Sequence, residues 1–221
     1  MVLVNGKCAA NSTAGQLLLY SRLSPEWIHG VHVAPVGITA GFAIPSILSP
    51  KGGALFTMDS TKSEIYFFDD IKSAIYKRSL HGGNVTLITS EGVDHVSCMV
   101  FDSASGNLYY GTRPSLEPAG ITVFRPENPD KRLLITRTVG GVHSLDFDPT
   151  ARLLFYSSTT QLRQHSITRA NLDGTNPTVL VSFFSFHPLT MALDVSARKV
   201  YWLDPFEYTL HRAAYDGEDS E

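Results

Sequence analysis

SLDFDPTARLLFYSSTTQLRQHSITRANLDGTNPTVLVS, residues 144–182, decides the fold. SLDFD (144–148) alternates apolar and polar positions, the pattern of a half-buried strand. Pro149-Thr150-Ala151-Arg152 is turn chemistry. LLFYS (153–157) is a second strand, and the polar loop STTQLRQH follows it. HSITRANL (165–172) is a third strand, Asp173-Gly174-Thr175 a hairpin turn, and PTVLVS (177–182) a fourth strand. Four short strands joined by turns make one antiparallel unit.

The unit recurs. An Asp is followed seven residues later by a strand that opens on paired aromatics. This happens from Asp59 to IYFFDD (65–70), Asp102 to LYYGT (108–112), Asp148 to LFYSS (154–158) and Asp194 to VYWLD (200–204). The lead aromatics Tyr66, Tyr109, Phe155 and Tyr201 lie 43, 46 and 46 residues apart. A period of this size with strand chemistry in each pass predicts a β-propeller, whose units bury their apolar faces against their neighbours. The fourth pass has LHRAAY and the turn Asp216-Gly217; the first has IYKRSL before His81-Gly82-Gly83. The second departs, with ITVFRP as third strand and no Asp-Gly after it. Residues 17–33 read as two further strands of another unit. The expectation is an all-β propeller with five four-stranded blades at least partly represented. The sequence is read as opening and closing inside blades, so the isolated chain is expected to be open-ringed and prone to aggregate.

Composition narrows the function. The chain has 221 residues, 43% hydrophobic and 18% charged, with a net charge of −3. No basic run exceeds a pair such as Lys77-Arg78, so nucleic-acid binding has no electrostatic support. No window of 18 apolar residues offers a membrane span, and residues 1–30 show no signal-peptide pattern. Gly-x-Ser-x-Gly, HExxH and the P-loop are absent, and no Cys/His cluster has zinc spacing. The reading is therefore of no catalytic residues, no metal and no cofactor in the propeller. Cys98, in VSCMVF, reads as a buried thiol. Cys8 is either a free thiol or half of a disulfide to an upstream partner. Asn11-Ser12-Thr13 and Asn84-Val85-Thr86 are glycosylation sequons.

Asp-x6-Tyr-Trp-x-Asp followed by Arg-Ala-x-Leu-Asp-Gly resembles the YWTD repeats of the low-density lipoprotein receptor family. The residues that carry it are Tyr201-Trp202-Leu203-Asp204, RANLDG (169–174) and RAAYDG (212–217). VLVNGKC before LLLYSR looks like the end of an EGF-like module entering the propeller, giving domains 1–12 and 13–221. The resemblance implies an incomplete six-bladed ring in a fragment of a single-pass receptor. It implies a non-catalytic domain at the extracellular face or in the endosome lumen. Its partners would be protein ligands or neighbouring modules, with release in acid; membrane attachment would come from a segment elsewhere.

The repeated aromatics are expected to be core between blades, and Asp59, Asp102, Asp148 and Asp194 to cap turns. His95, His143, His165 and His187 are expected at one mouth, where second-to-third loops and inter-blade loops meet. Histidine titrates between neutral and endosomal pH. Phe183, Phe184, Phe186, Phe206, Glu207 and Tyr208 are expected to form an apolar, partly acidic ligand patch on the same mouth. Two alternatives share the fold: a calcium-dependent lactonase or esterase, and a nidogen-like matrix protein. The first strands SCMVFD, HSLDFD and TMALDV offer few oxygen ligands for the cation the first alternative needs.

Overall fold

The computed structural model describes residues 16–21, 28–34, 37–44, 55–113, 119–138, 140–159, 164–183, 190–204 and 208–220, the first three segments and residue 183 by backbone alone. Among them are strands and turns and no helix. The chain divides into two compact units, Met1–Asp94 and His95–Glu221.

The first unit holds two antiparallel sheets. One joins β1 (Gln16–Ser21), β2 (Ile28–Ala34) and β3 (Gly37–Ile44) in that order. The other runs β4 (Leu55–Asp59), β5 (Glu64–Asp69), β6 (Ala74–Ser79), β7 (Thr86–Thr89). Ile65, Tyr66, Phe67 and Phe68 of β5 are all buried, as befits a strand covered on both faces.

The second unit holds three sheets. β8 (Val96–Asp102), β9 (Asn107–Thr112), β10 (Gly120–Arg125) and β11 (Asn128–Arg137) form one. β12 (Val142–Asp148), β13 (Leu153–Thr159), β14 (His165–Asn171) and β15 (Thr178–Phe183) form the next. β16 (Met191–Asp194), β17 (Lys199–Leu203) and β18 (Leu210–Ala214) form the last. Every pairing is antiparallel between strands consecutive in sequence, so each sheet is a meander in which a loop must turn tightly. β12 packs between β8 and β16, which makes the first strand of each sheet its innermost.

The recurring Asp makes the first turn. Asp148 Oδ1 accepts from the amides of Thr150 (2.8 Å) and Ala151 (2.9 Å). Asp59 does the same for Thr61 and Lys62, at 2.9 and 3.3 Å. Asp102 takes the Ala104 amide and the Ser105 hydroxyl, and Asp194 the Ser196 hydroxyl and the Ala197 amide. The residue after each capped pair is left-handed: Ser63 (φ 52°), Gly106 (73°), Arg152 (58°) and Arg198 (52°). Side-chain capping thus stabilises a turn whose last residue is in a disfavoured conformation for all but glycine.

The paired aromatics divide between neighbours. Strand alternation sends adjacent residues to opposite faces. Phe155 packs with Ile167, Leu193, Val200 and Tyr215 toward the following sheet. Tyr156, next to it, packs with Tyr109, Cys98 and Val142 toward the preceding one. Trp202 faces backward in the same way, among Phe155, Ile167 and Met191. The pair is therefore the two-sided apolar surface that lets one blade be core to both neighbours. LYYGT departs from its counterparts at Gly111, and there a Cβ would press on Cys98 Sγ at 2.6 Å and Val142 Cγ1 at 2.7 Å.

The Asp-Gly turns have a second task. Gly174 has φ +82°, and a Cβ there would collide with the Ile135 carbonyl on the outer strand of the preceding sheet. Gly217, at φ +91°, stands in the same relation to the Leu180 carbonyl, 2.8 Å from where its Cβ would be. The motif serves hairpin geometry and blade-to-blade approach together. Gly174→Ala is expected to destabilise the chain by more than about 1 kcal/mol, since strain and collision add. Gly106→Ala, at φ +73° with nothing within 4 Å, carries strain alone and is expected to cost about 1 kcal/mol. Urea unfolding of the two variants measures the difference; equal costs would contradict the close-approach account.

Candidate ligand-binding mouth

The inner strands of the second unit run parallel to one another. Ser144 Oγ accepts from the Met191 amide at 3.0 Å, and Asp146 Oδ2 from the Leu193 amide at 2.9 Å. The two links advance together along β12 and β16, which fixes a common direction. Ser97 Oγ, on β8, donates to the Val142 carbonyl at 2.5 Å. The starts of β8, β12 and β16 therefore lie at one end, with the ends of β9, β13 and β17 and the starts of β10, β14 and β18. This is the mouth.

Three of the four expected histidines are described, and each stands at that end. His95 is exposed, with φ 57°, just before β8; its carbonyl accepts from the Arg113 amide at 3.0 Å. His143 sits in a β-bulge near the start of β12, where the register skips between Val142 and Ser144. His165 opens β14 and pairs in register with Thr159, the last residue of β13. Thr159 Oγ1 lies 2.6 Å from His143 Nε2 and 2.9 Å from His165 Nδ1, and the ring centroids are 6.3 Å apart. A hydroxyl has one proton to donate and lone pairs to accept with. Two neutral rings satisfy it when one presents a lone pair and the other an N–H. A charged ring must donate, which turns the hydroxyl toward the other. The cluster is half-buried.

The fourth, His187, falls outside the described residues. So do Phe184, Phe186, Phe206, Glu207, Asn11 and Cys8. Phe183 is placed by its backbone as the register partner of His165. Tyr208 is described, 90% exposed and left-handed at φ 57°. Leu203 and Leu210 flank it in sequence, 41% and 64% exposed. Beneath them the Asp204 amide donates to the Thr209 carbonyl at 3.0 Å, and Thr209 Oγ1 meets His211 Nε2 at 2.8 Å. The His211 ring stacks on Trp202 at 5.7 Å. An exposed aromatic and two leucines thus rest on an anchored loop base.

Polar groups along the inner strands and first turns hold structure. The repeated carboxylates cap turns. Ser97, Ser144 and Asp146 link inner strands, and their part was not read from sequence. Asp146 lies two residues from the repeated Asp148, and no spacing rule separates a strand-linking carboxylate from a turn-capping one. Thr159 was missed for the same reason: a threonine ending a strand is common. Among the described residues no group of three His, Cys, Asp or Glu side chains could hold a metal ion.

Burial pushes the Cys98 thiol up to about 12, against smaller lowering from the Ser97 hydroxyl and the Gly111 backbone. Burial likewise raises Tyr109, Tyr110 and Tyr156. In a background lacking Cys8, Cys98 is expected to be silent to a thiol-disulfide reagent at pH 8 until the chain is unfolded, because the thiolate is the nucleophile. Prompt labelling of the folded chain would contradict the packing of β8 against β9 and β12.

No protein-family model matches the chain. Among curated proteins, "Protein cueball" of Drosophila sechellia is 21% identical over 176 residues, covering 75% of this chain. The chain spans 27% of that relative's length. Among solved structures, a chain of the nidogen/laminin complex has a TM-score of 0.76 at 17% identity, covering 89% of this chain and 73% of that one. A gluconolactonase from Xanthomonas campestris has a TM-score of 0.67 at 12% identity, covering 92% and 70%. The likenesses show the fold. The meander sheets, the inner-strand order and these neighbours together make the chain an all-β propeller.

Proposed function

We propose that the chain is a non-catalytic protein-binding propeller, exposed outside the cell or in the endosome lumen as part of an LDL-receptor-related receptor. EGF-like modules and the membrane anchor would belong to other parts of that receptor. The observation that carries the reading is the division of polar groups. The inner strands use Ser97, Ser144 and Asp146 to hold their neighbours, while the mouth presents Tyr208, Leu203 and Leu210 to solvent. Exposed aromatic anchors beside aliphatic groups are the material of protein-binding hot spots. A structural neighbour taken from a complex of two proteins supports the same use of the fold. That neighbour also favours a second reading, a matrix protein of the nidogen kind. The two differ in where the partner sits, on the cell or in the matrix.

The histidines give the mouth a pH response. An imidazole of ordinary pKa, about 6.5, is mostly neutral at pH 7.4 and mostly charged at pH 5.5. Protonation adds positive charge beside the shared hydroxyl, so a partner presenting a cation there is released in acid. A shift of one pKa unit on binding corresponds to about tenfold in affinity per histidine.

The test is saturable binding of the labelled chain to intact cells and to laminin-containing matrix. Binding to cells is expected to be weaker at pH 5.5 than at 7.4. Tyr208→Ala is expected to weaken it at both pH values by roughly tenfold or more. His143→Ala with His165→Ala is expected to flatten the pH response. Binding to matrix alone would favour the second reading. Undiminished binding by Tyr208→Ala, or hydrolysis of gluconolactone above background, would overturn the first.

A further inference from the structure

The outer strands of the propeller sheets are treated unequally. β11 carries Asp130, Lys131, Arg132 and Arg137, charges of the kind that keep an edge strand from pairing with another chain. The backbone of β15 is approached at Leu180 by the Gly217 turn of the following sheet. β7, the outermost strand of the β4–β7 sheet, reads TLIT and has no charge. Val85, just before it, and Leu87, within it, are 39% and 52% exposed. A short uncharged edge with apolar side chains in solvent is an aggregation hazard unless something covers it.

Asn84 stands where a cover could be attached. Asn84-Val85-Thr86 is an acceptor sequon with a permitted middle residue. Asn84 is exposed, in the irregular segment that enters β7, and makes no hydrogen bond among the described residues. Gly82 and Gly83 precede it at φ +100° and +101°, with open space around both. Thr86, which the transfer enzyme must also read, is exposed as well. Its Cα pairs with Lys77 at the beginning of the β6–β7 ladder, so the acceptor lies just outside the paired strand.

We propose that Asn84 carries an N-linked glycan that shields the β7 edge. The donor is an oligosaccharide joined to a lipid pyrophosphate. The side-chain amide nitrogen forms a bond to the anomeric carbon of the first sugar. The bond from that carbon to the pyrophosphate oxygen breaks, the amide loses one proton, and the lipid pyrophosphate leaves. No electron is gained or lost. The proposal rests on the reading that the chain passes through the secretory pathway, and the experiment below separates the two.

The full chain is expressed in animal cells behind a supplied secretory leader, so that residence of the native protein does not enter the result. Secreted and retained material are both treated with peptide N-glycosidase in heavy-oxygen water, which leaves labelled Asp at each released site. Residue 84 is expected to be labelled in most molecules. Asn84→Gln and Thr86→Ala are each expected to lose one glycosidase-sensitive step in gel mobility, while Thr86→Ser keeps it. Chain lacking the glycan is expected to sediment as larger species, and Leu87→Lys in that background to reverse the effect. An unoccupied Asn84 in both fractions overturns the site. Occupancy without any change in association on its removal overturns the shielding.

Discussion

A β-sheet has two edges, and a ring of sheets must do something with the inner one. The first strand of each sheet has a free row of backbone groups, and an unpaired amide away from water costs about as much as a lost hydrogen bond. Here side chains of the neighbouring inner strand supply the partners. Ser144 and Asp146, alternate residues on one face of β12, reach alternate amides of β16. Ser97 reaches from β8 to β12. Arg169, the first residue of RANLDG, ties a middle strand to the next sheet by donating to the Tyr215 carbonyl at 2.8 Å. These links, with the close approach at Gly174 and Gly217, set the spacing at which Phe155 and Tyr156 can each fill a gap.

That constraint bears on function. A serine and a carboxylate facing a propeller's centre look like the beginnings of a hydrolytic site. In this chain both accept from backbone amides of the next inner strand, and so hold one sheet to the next. At the mouth a hydroxyl bridges two imidazoles, and an exposed tyrosine projects from the β17–β18 loop. The same fold in a gluconolactonase and in a chain of a protein complex shows that the scaffold alone decides neither use.

Much of the fold was legible because its causes are local and repeat. The Asp that caps a turn, the left-handed residue directly after the capped pair, the aromatic pair and the Asp-Gly hairpin are short-range requirements. They therefore recur at intervals of 43 to 46 residues, the Asp-Gly hairpin in the third and fourth passes. The departures were legible as departures but not as reasons: Gly111 is explained only by Cys98 and Val142 pressing from two directions. The site was less legible. That His143 and His165 share a mouth follows from strand order, and strand order follows from the repeat. That they meet through Thr159 depends on a bulge at His143, which no alternation pattern marks. Asp146 reads as one more polar residue in an alternating strand; its contact lies 47 residues away and on another sheet.

The central claim is that inner-strand side chains lock one sheet to the next. Amide hydrogen exchange at Met191 and Leu193 tests it most directly. In the unaltered chain both amides are expected to exchange only through the opening of the whole second unit. Asp146→Ala should speed exchange at Leu193 by roughly ten- to a hundredfold and leave Met191 less affected, as loss of about 1.5–3 kcal/mol from a charged acceptor would do. Fast exchange at both amides in the unaltered chain, or none of this selectivity in the variant, would contradict the account.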